Sequence, residues 1–231
     1  MNGRAVKNSK IFVMEKFSIK TIASFPLGEN CYIVTDNSKD ISFVVDPGAL
    51  NSDLKKYFSS ANFDLKYILL THGHFDHIGA VSYLKEKYPG AKIVISKEDA
   101  KITGDPVLNG SSSFNLNEAF DFKPDITAAD GGLIDFGDKK IKVVSVPGHS
   151  AGSVLYIFED MIFSGDTLFS SDIGRTDLPG SVPEKMKESL EKIRELDDET
   201  DYKIYPGHMS DTTLSYEKKN NFFLSDEYLG Q

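Results

Sequence analysis

The sequence contains a single cysteine and no tryptophan among its 231 residues. One thiol cannot form an internal disulfide bond, which excludes the small secreted proteins that depend on disulfide bridges for their stability. Cys31 lies in the apolar segment Cys31–Val34. We therefore predict a buried core position for it rather than a nucleophilic role.

Long apolar runs are also missing. No segment approaches the roughly 20 residues of a membrane-spanning helix, and the apolar segment 11–14 is too short for the core of a signal peptide. We therefore expect a cytoplasmic protein with no membrane partner. Residues 1–13 are predicted to form a flexible N-terminal extension, and residues 14–231 a single domain.

The chain has fewer basic than acidic residues. It contains 26 Lys and Arg residues and 35 Asp and Glu residues, which gives a net charge of −9. Such a balance argues against a general nucleic-acid binder, although it allows a local basic pocket for an anionic substrate. We predict a small-molecule substrate and no nucleic-acid partner. Both a monomer and a homodimer remain open.

Histidine is scarce as well, but its placement is not random. Three of the five histidines lie in one seven-residue stretch, which also contains a carboxylate: His72, His74, Asp76 and His77. The other two are His149 and His208, and each follows a short apolar run and a Pro-Gly pair. No histidine is left for an ordinary surface or core position, which favours a shared metal site.

The spacing within the stretch 71–77 has a physical meaning. The stretch lies between an apolar segment typical of a buried strand and a segment typical of a helix start. His72 and His74 are two residues apart in extended chain, so both side chains can point the same way, whereas Asp76 and His77 fall where the helix begins. The turn can therefore present two pairs of ligands to two adjacent cations. The alternative is a polar loop with a capping aspartate.

The order of elements predicts the architecture. Strands and helices alternate in two similar halves, which indicates two packed sheets with helices outside, and a continuous helix is expected over 78–88. In such a sandwich the strand-end turns of both halves meet at one edge. The irregular segment 104–125 is long for a loop and is predicted to form a lid or a rim of the site.

A second carboxylate follows another apolar strand. In the segment 162–167, Asp166 stands at the turn after the strand. The two oxygen atoms of a carboxylate can bridge two cations, and we predict that role for Asp166. Capping of the turn is the structural alternative.

These motifs together resemble the metallo-β-lactamase superfamily over about residues 17–208. The resemblance implies an α/β fold of the αββα sandwich type. It implies His72, His74 and His149 on a first metal ion. It also implies a second ion whose ligands are Asp76, His77 and His208, with Asp166 as the bridge. Asp46, in the segment 44–48, matches an aspartate that orients the metal loop without binding the metal.

The segment 165–180 is similar to hydroxyacylglutathione hydrolases of the glyoxalase II type, closest to the short bacterial form. In the longer form, a lysine at the position of Arg175 holds a glutathione carboxylate, with the help of a nearby tyrosine. Here Asp177 stands at the tyrosine position, and 23 residues follow His208 where the longer form continues into a helical C-terminal domain. Two interpretations of Arg175 stay open: a substrate contact, or an ion pair with Asp177.

The resemblance implies a thioesterase that cleaves S-lactoylglutathione with two divalent metal ions, zinc in the first place and iron or manganese as alternatives. Asp76 and Asp166 are the predicted catalytic carboxylates. Three other functions compete. A persulfide dioxygenase would hold one iron with His72, His149 and Asp166. Lactamases of the better-known kind carry a cysteine at the position of Asp166, and nucleases of this family add an inserted domain and a basic surface.

Overall fold

Each half of the chain builds one six-stranded sheet. The computed structural model describes residues 16–24, 27–197 and 199–230, so the predicted extension 1–13 lies outside the described residues. The strands of the first half are β1 (Phe17–Ser24), β2 (Glu29–Asp36), β3 (Ile41–Val45), β4 (Asp64–Leu69), β5 (Lys92–Ser96) and β6 (Ile126–Ala128). They lie side by side in sequence order, antiparallel from β1 to β3 and parallel from β3 to β6.

The second half forms a sheet in the order β14-β13-β10-β9-β8-β7, while β11 and β12 pair with each other. Its strands are β7 (Leu133–Phe136), β8 (Lys139–Ser145), β9 (Val154–Phe158), β10 (Met161–Gly165), β11 (Leu168–Phe169), β12 (Asp172–Ile173), β13 (Lys203–Pro206) and β14 (Thr212–Thr213). Only the β10–β13 pair is parallel among the strand pairs described for this sheet.

The two sheets pack face to face over an aromatic core. Phe43 of β3 is fully buried and makes edge-on ring contacts with Phe136, Phe158 and Phe163 of the second sheet, at centroid distances of 4.9, 5.4 and 5.9 Å. Alternate residues of a strand point to opposite faces, so Val44 packs on the outer side of the first sheet instead. Burial of both faces explains the continuous apolar runs in the sequence.

Helices cover the outer faces of both sheets. Those of the first half are α1 (Ser52–Ser60), α2 (Phe75–Ile78) and α3 (Val81–Lys87), and those of the second half are α4 (Pro183–Arg194), α5 (Leu214–Asn220) and α6 (Asp226–Leu229). Leu54 and Phe58 of α1 pack on the first sheet, whereas Met186 and Leu190 of α4 pack on the second. The predicted αββα sandwich is confirmed. No helix in the described part of the chain combines the length and apolar character that crossing a bilayer requires.

The helix predicted over 78–88 is broken in two. A Cβ atom at Gly79 would lie 2.2 Å from the backbone oxygen of Gly48, and the Ala80 amide donates a hydrogen bond of 2.8 Å to Pro47. The loop after β3 therefore contacts the chain at this point. Its Pro47 carbonyl accepts the hydrogen bond from an amide that a continuous helix would use internally. The break ties the 71–77 turn to the loop that carries Asp46.

The irregular segment 104–125 borders the site, as predicted. It contains a short 3-10 helix, Ser111–Phe114, and is held by the Asn109 side chain, whose amide donates to the backbone oxygens of Thr103 and Glu118 at 2.9 and 2.8 Å. Phe114 then reaches Phe75 at the start of α2, with ring centroids 5.3 Å apart.

Candidate metal centre

The predicted ligands converge at one edge of the sandwich because each follows the carboxyl end of a strand. Asp46 follows β3, the 71–77 turn follows β4, His149 follows β8, Asp166 follows β10 and His208 follows β13. Two close approaches hold these turns together. A Cβ atom at Gly165 would lie 2.2 Å from Thr71 Oγ1, and one at Gly207 would lie 2.2 Å from Asp166 Oδ1. Only glycine fits at such positions.

The first group consists of His72, His74 and His149, which are all buried. One ring nitrogen of each lies within 4.8 Å of the others, and His74 Nδ1 is 2.9 Å from His149 Nε2. His149 Nδ1 donates a hydrogen bond of 2.7 Å to the Arg175 backbone oxygen, so its Nε2 carries a lone pair. That lone pair points at His74 and at the centre of the group.

The second group consists of Asp76, His77 and His208, whose ligand atoms also lie within 4.8 Å of one another. His208 Nε2 is 3.3 Å from Asp76 Oδ2, and His77 Nε2 is 3.9 Å from the same oxygen. His208 Nδ1 donates to the Leu27 backbone oxygen at 3.2 Å, which leaves its Nε2 free for a cation.

Asp166 lies between the two groups. Its Oδ1 is 3.4 Å from His77 Nε2, while its Oδ2 is 3.6 Å from His149 Nε2 and 3.5 Å from His208 Nε2. One carboxylate thus faces a histidine of the first group and both histidines of the second.

Several buried polar atoms at the centre have no hydrogen-bond partner among the described residues: His72 Nε2, His74 Nε2, His77 Nε2 and Asp166 Oδ1. An unpaired buried polar atom costs about 1–3 kcal/mol, so four of them in one place require an explanation. Imidazole nitrogens and a carboxylate oxygen are the ligands of zinc and iron sites. The histidine cluster therefore fits a metal site.

Asp46 orients this cluster. Its Oδ1 accepts from the Thr71 amide at 2.7 Å, and its Oδ2 accepts from Thr71 Oγ1 at 2.6 Å and faces His77 Nδ1 at 3.0 Å. The Asp46 contact therefore keeps a proton on His77 Nδ1, and Nε2 faces the centre. Asp46 itself adopts a positive φ of 47°, a strained conformation that its three hydrogen bonds hold in place. These contacts fit the orienting role expected for Asp46.

The protein's own electrostatics divide the histidines into two kinds. Burial and the neighbouring imidazoles lower the pKa of His72 well below its ordinary value, and burial with His149 lowers the pKa of His74 to about 3. Burial also opposes protonation of His77 and His208, but nearby carboxylates outweigh it and raise both pKa values. Neutral imidazoles at His72 and His74, and a carboxylate at Asp76 beside His77 and His208, are ligands suited to cations.

Asp99 is a site residue that the sequence pattern did not reveal. Ser96 Oγ accepts a hydrogen bond of 3.2 Å from the Asp99 amide at the start of a short helix. The helix is only a 3-10 turn, Asp99–Lys101, and the Asp99 carboxylate is buried. It accepts hydrogen bonds of 2.7–2.8 Å from the Gly73 amide, the Ser150 hydroxyl and the Gly152 amide.

Arg175 forms the ion pair that was one of its two predicted roles. Its guanidinium group binds Asp177 in a bidentate fashion, at 2.6 and 2.8 Å, and both side chains are exposed. The same residue borders a cavity of about 390 Å³, the metal cavity, whose other lining residues include His74, His149, Asp166 and His208.

Comparison with known proteins agrees with this geometry. The family model of the metallo-β-lactamase superfamily matches residues 25–208. The hydroxyacylglutathione hydrolase GloC of Haemophilus influenzae is 32% identical over 214 residues, which cover 91% of this chain and 99% of GloC. The crystal structure of the BLEG-1 B3 metallo-β-lactamase superposes with a TM-score of 0.82 at 32% identity, covering 90% of this chain and all of that one. A crystal structure of TTHA1623 in a di-iron-bound form has a TM-score of 0.75 at 30% identity, covering 89% and 100%.

Proposed function

Because the chain belongs to the metallo-β-lactamase superfamily of metallo-hydrolases, we propose that it is a thioesterase that hydrolyses hydroxyacylglutathione, with S-lactoylglutathione as its model substrate. The similarity to GloC over nearly the whole of both chains supports this choice of substrate class. The retained basic side chain of Arg175 at the metal cavity supports it too.

The observation that carries the proposal is the position of Asp166. A carboxylate within 3.4–3.6 Å of histidines from both groups is placed to bridge two cations. We infer two divalent ions, the first held by His72, His74 and His149 and the second by Asp76, His77 and His208. Zinc is our first choice, and iron or manganese are the alternatives, iron being favoured by the likeness to TTHA1623.

When bound, such ions supply Lewis acidity, which polarises a carbonyl group and lets a water molecule lose its proton near neutral pH. The chain's own residues prepare the place for this reaction. Asp46 fixes the His77 ring, and the Arg175 backbone oxygen fixes the His149 ring. The carboxylates of Asp76 and Asp166 border the same cavity and can accept the proton of an attacking water molecule.

A thioester suits a site without a separate proton donor. The thiol that leaves has a pKa of about 8.5, so its thiolate departs without a general acid. Among the described residues that line the metal cavity, the carboxylates and histidines all belong to the two candidate ligand groups or to Asp166. The described residues that line this cavity therefore include no separate general acid for a poorer leaving group.

The test combines metal analysis with a hydrolysis assay. The protein is loaded with zinc, iron(II) or manganese, the bound metal is measured by elemental analysis, and thiol release from S-lactoylglutathione is followed with a thiol reagent. We expect two ions per chain and turnover that depends on the metal. Absence of turnover with all three metals would overturn the proposal.

The same preparation tests the competing functions. A single bound iron with oxygen uptake in the presence of glutathione persulfide would identify a dioxygenase. Hydrolysis of β-lactams without hydrolysis of thioesters would identify a lactamase. The similarity to BLEG-1 is the reason for this test. Against a lactamase, Asp166 stands where many lactamases have a cysteine.

A further inference from the structure

A second cavity, of about 430 Å³, lies beside the metal cavity. The two cavities share Leu27, Phe75, Asp76 and Phe114 as lining residues, so they are contiguous. A molecule whose reacting bond lies at the metal centre can therefore extend one end into the second cavity. Neither the ligand groups nor the hydrolytic chemistry accounts for this space.

The walls of the second cavity are predominantly apolar. Leu27, Phe75 and Phe114 are joined by Ala49, Leu50 and Leu116, and we call the space the apolar cavity. Leu50, Phe114 and Leu116 are 39%, 51% and 50% exposed. Large apolar side chains that remain exposed around one concave surface mark a place where a ligand is bound.

The charged groups of the apolar cavity restrict its occupant. Its titratable lining residues are Glu29, Asp76 and Glu118, and no lysine or arginine is found among the described residues that line it. The apolar cavity therefore offers no basic side chain to pair with the carboxylates of glutathione. Arg175, which can attract such a carboxylate, lines the metal cavity but not the apolar cavity.

The floor of the apolar cavity is built around one glycine. A Cβ atom at Gly48 would lie 1.8 Å from the Asp76 backbone oxygen and 2.3 Å from Glu29 Oε2. Glu29 is fully buried, and neither of its carboxyl oxygens has a hydrogen-bond partner in the described part of the chain. The loop after β3, which carries Asp46, thus also shapes this cavity.

We propose that the apolar cavity binds the acyl chain of the thioester substrate and selects uncharged acyl groups longer than lactoyl. The inference rests on the proposed thioesterase function and specifies its substrate class. The two arms of the substrate then lie in different environments: the thiol-bearing arm on the Arg175 side of the metal cavity, and the acyl arm between Leu50, Phe114 and Leu116.

The first experiment varies the acyl chain and keeps the thiol constant. The metal-loaded protein is given acetyl, butanoyl and hexanoyl thioesters of N-acetylcysteamine, a neutral thiol. Burial of one methylene group corresponds to at most about a fourfold gain, so kcat/KM should rise about two- to fourfold per methylene. A parallel series with an acetyl group and thiols of increasing length should show no such gain.

Variants of the rim connect the gain to this cavity. Leu50→Asp places a charge in the wall, and Leu116→Trp fills the space; both side chains line the apolar cavity and not the metal cavity. Each variant should abolish the chain-length gain and change hydrolysis of the acetyl thioester by no more than about twofold. Val107→Trp is the matched control for Leu116→Trp, because Val107 lies in the same segment 104–125 as Leu116. Val107 is 54% exposed and lines neither cavity.

A binding measurement separates failure of this inference from failure of the proposed function. Calorimetry with non-hydrolysable ketones, in which a methylene group replaces the sulfur, reports chain-length dependence even if no thioester is turned over. Tighter binding of the hexanoyl ketone to the wild type and to Val107→Trp, but not to Leu116→Trp, would support the apolar cavity by itself. The inference would be overturned if neither kcat/KM nor binding depended on the length of the acyl chain. It would also be overturned if kcat/KM rose with the length of the thiol instead, or if the dependence on acyl length persisted in both Leu50→Asp and Leu116→Trp.

Discussion

At the residue scale, three of the candidate metal ligands are oriented by a neighbour outside the two ligand groups. Asp46 holds His77, the Arg175 backbone oxygen holds His149, and the Leu27 backbone oxygen holds His208. A hydrogen bond to one ring nitrogen selects the tautomer and directs the other nitrogen into the site. These hydrogen bonds therefore fix the orientation of the His77, His149 and His208 rings without a bound cation.

His74→Ala should abolish hydrolysis without unfolding the domain. His74 contributes a buried imidazole to the first group, but it lies on a turn and not in one of the three apolar core clusters. We expect a loss of at least about 100-fold in kcat/KM, because removal of even a supporting neighbour of a metal ligand reduces affinity or activity 10–100-fold. Steady-state kinetics, circular dichroism and metal content would be compared with the wild type. Retention of most of the turnover would contradict the ligand assignment.

Arg175 can exchange partners at small cost. Its pair with Asp177 is exposed, and exposed pairs contribute about 0–1 kcal/mol, so a substrate carboxylate can replace Asp177. Arg175→Ala should then raise KM for S-lactoylglutathione about tenfold, the lower end for a hydrogen bond to a charged group, and leave a small neutral thioester unaffected.

Asp177→Ala is the matched control for Arg175. If the pair only shapes the loop, both variants should slow the charged and the neutral substrate to the same extent. Kinetics of the two variants with the two substrates would distinguish the roles, and equal losses for both substrates would rule out a substrate contact.

At the element scale, the site depends on turns that lie far apart in the sequence but are joined directly. The Asp99 carboxylate accepts from Gly73 in the 71–77 turn and from Ser150 and Gly152 in the turn after β8. It thereby holds His72 and His74 against His149. A carboxylate in this position acts on the metal only through the turns that it joins.

Asp99→Asn should weaken metal binding while the fold persists. An amide has one acceptor oxygen where the carboxylate has two, so at least one of the three donors loses its partner. We expect the metal Kd to rise about 10–100-fold, as for other groups that position ligands. The measurement is a competition titration with a chelating dye.

Asp125→Asn is the control for Asp99. Asp125 also accepts a backbone hydrogen bond, 2.9 Å from the Ile93 amide, but it lies just before β6, at the amino end of the parallel strands and away from the centre. An equal rise of the metal Kd in both variants would show a general effect on stability rather than positioning of the ligand turns.

At the scale of the whole molecule, the edge of the sandwich concentrates polar groups that are buried and unpaired in the protein alone. A cation that binds only the folded state stabilises it by about 2.7 kcal/mol at a concentration 100 times its Kd. Saturating zinc should therefore raise Tm by about 5–10 °C for a domain of this size. Differential scanning calorimetry with zinc, with a chelator and after zinc is restored measures the effect. An unchanged Tm would mean that the centre holds no zinc in the folded protein.

The sequence alone predicted the architecture that the structure shows, and it offered seven candidate metal ligands that the structure brings together at one edge of the sandwich. Strands buried on both faces leave uninterrupted apolar runs, and two packed sheets follow from two similar series of such runs. The histidines could be recognised because local spacing and a Pro-Gly break carry the signal. His72 and His74 are two apart on extended chain, and all five histidines follow strands.

Only the tertiary structure decided how those pieces meet. Asp99 and Ser150 are 51 positions apart, and the helix break at Gly79 is imposed by the loop around Gly48. The apolar cavity likewise combines Leu50 from the loop after β3 with Leu116 from the segment 104–125. Local sequence encodes the conformation of a segment and the chemistry of its side chains, whereas a buried hydrogen bond or a shared cavity arises only when distant segments pack.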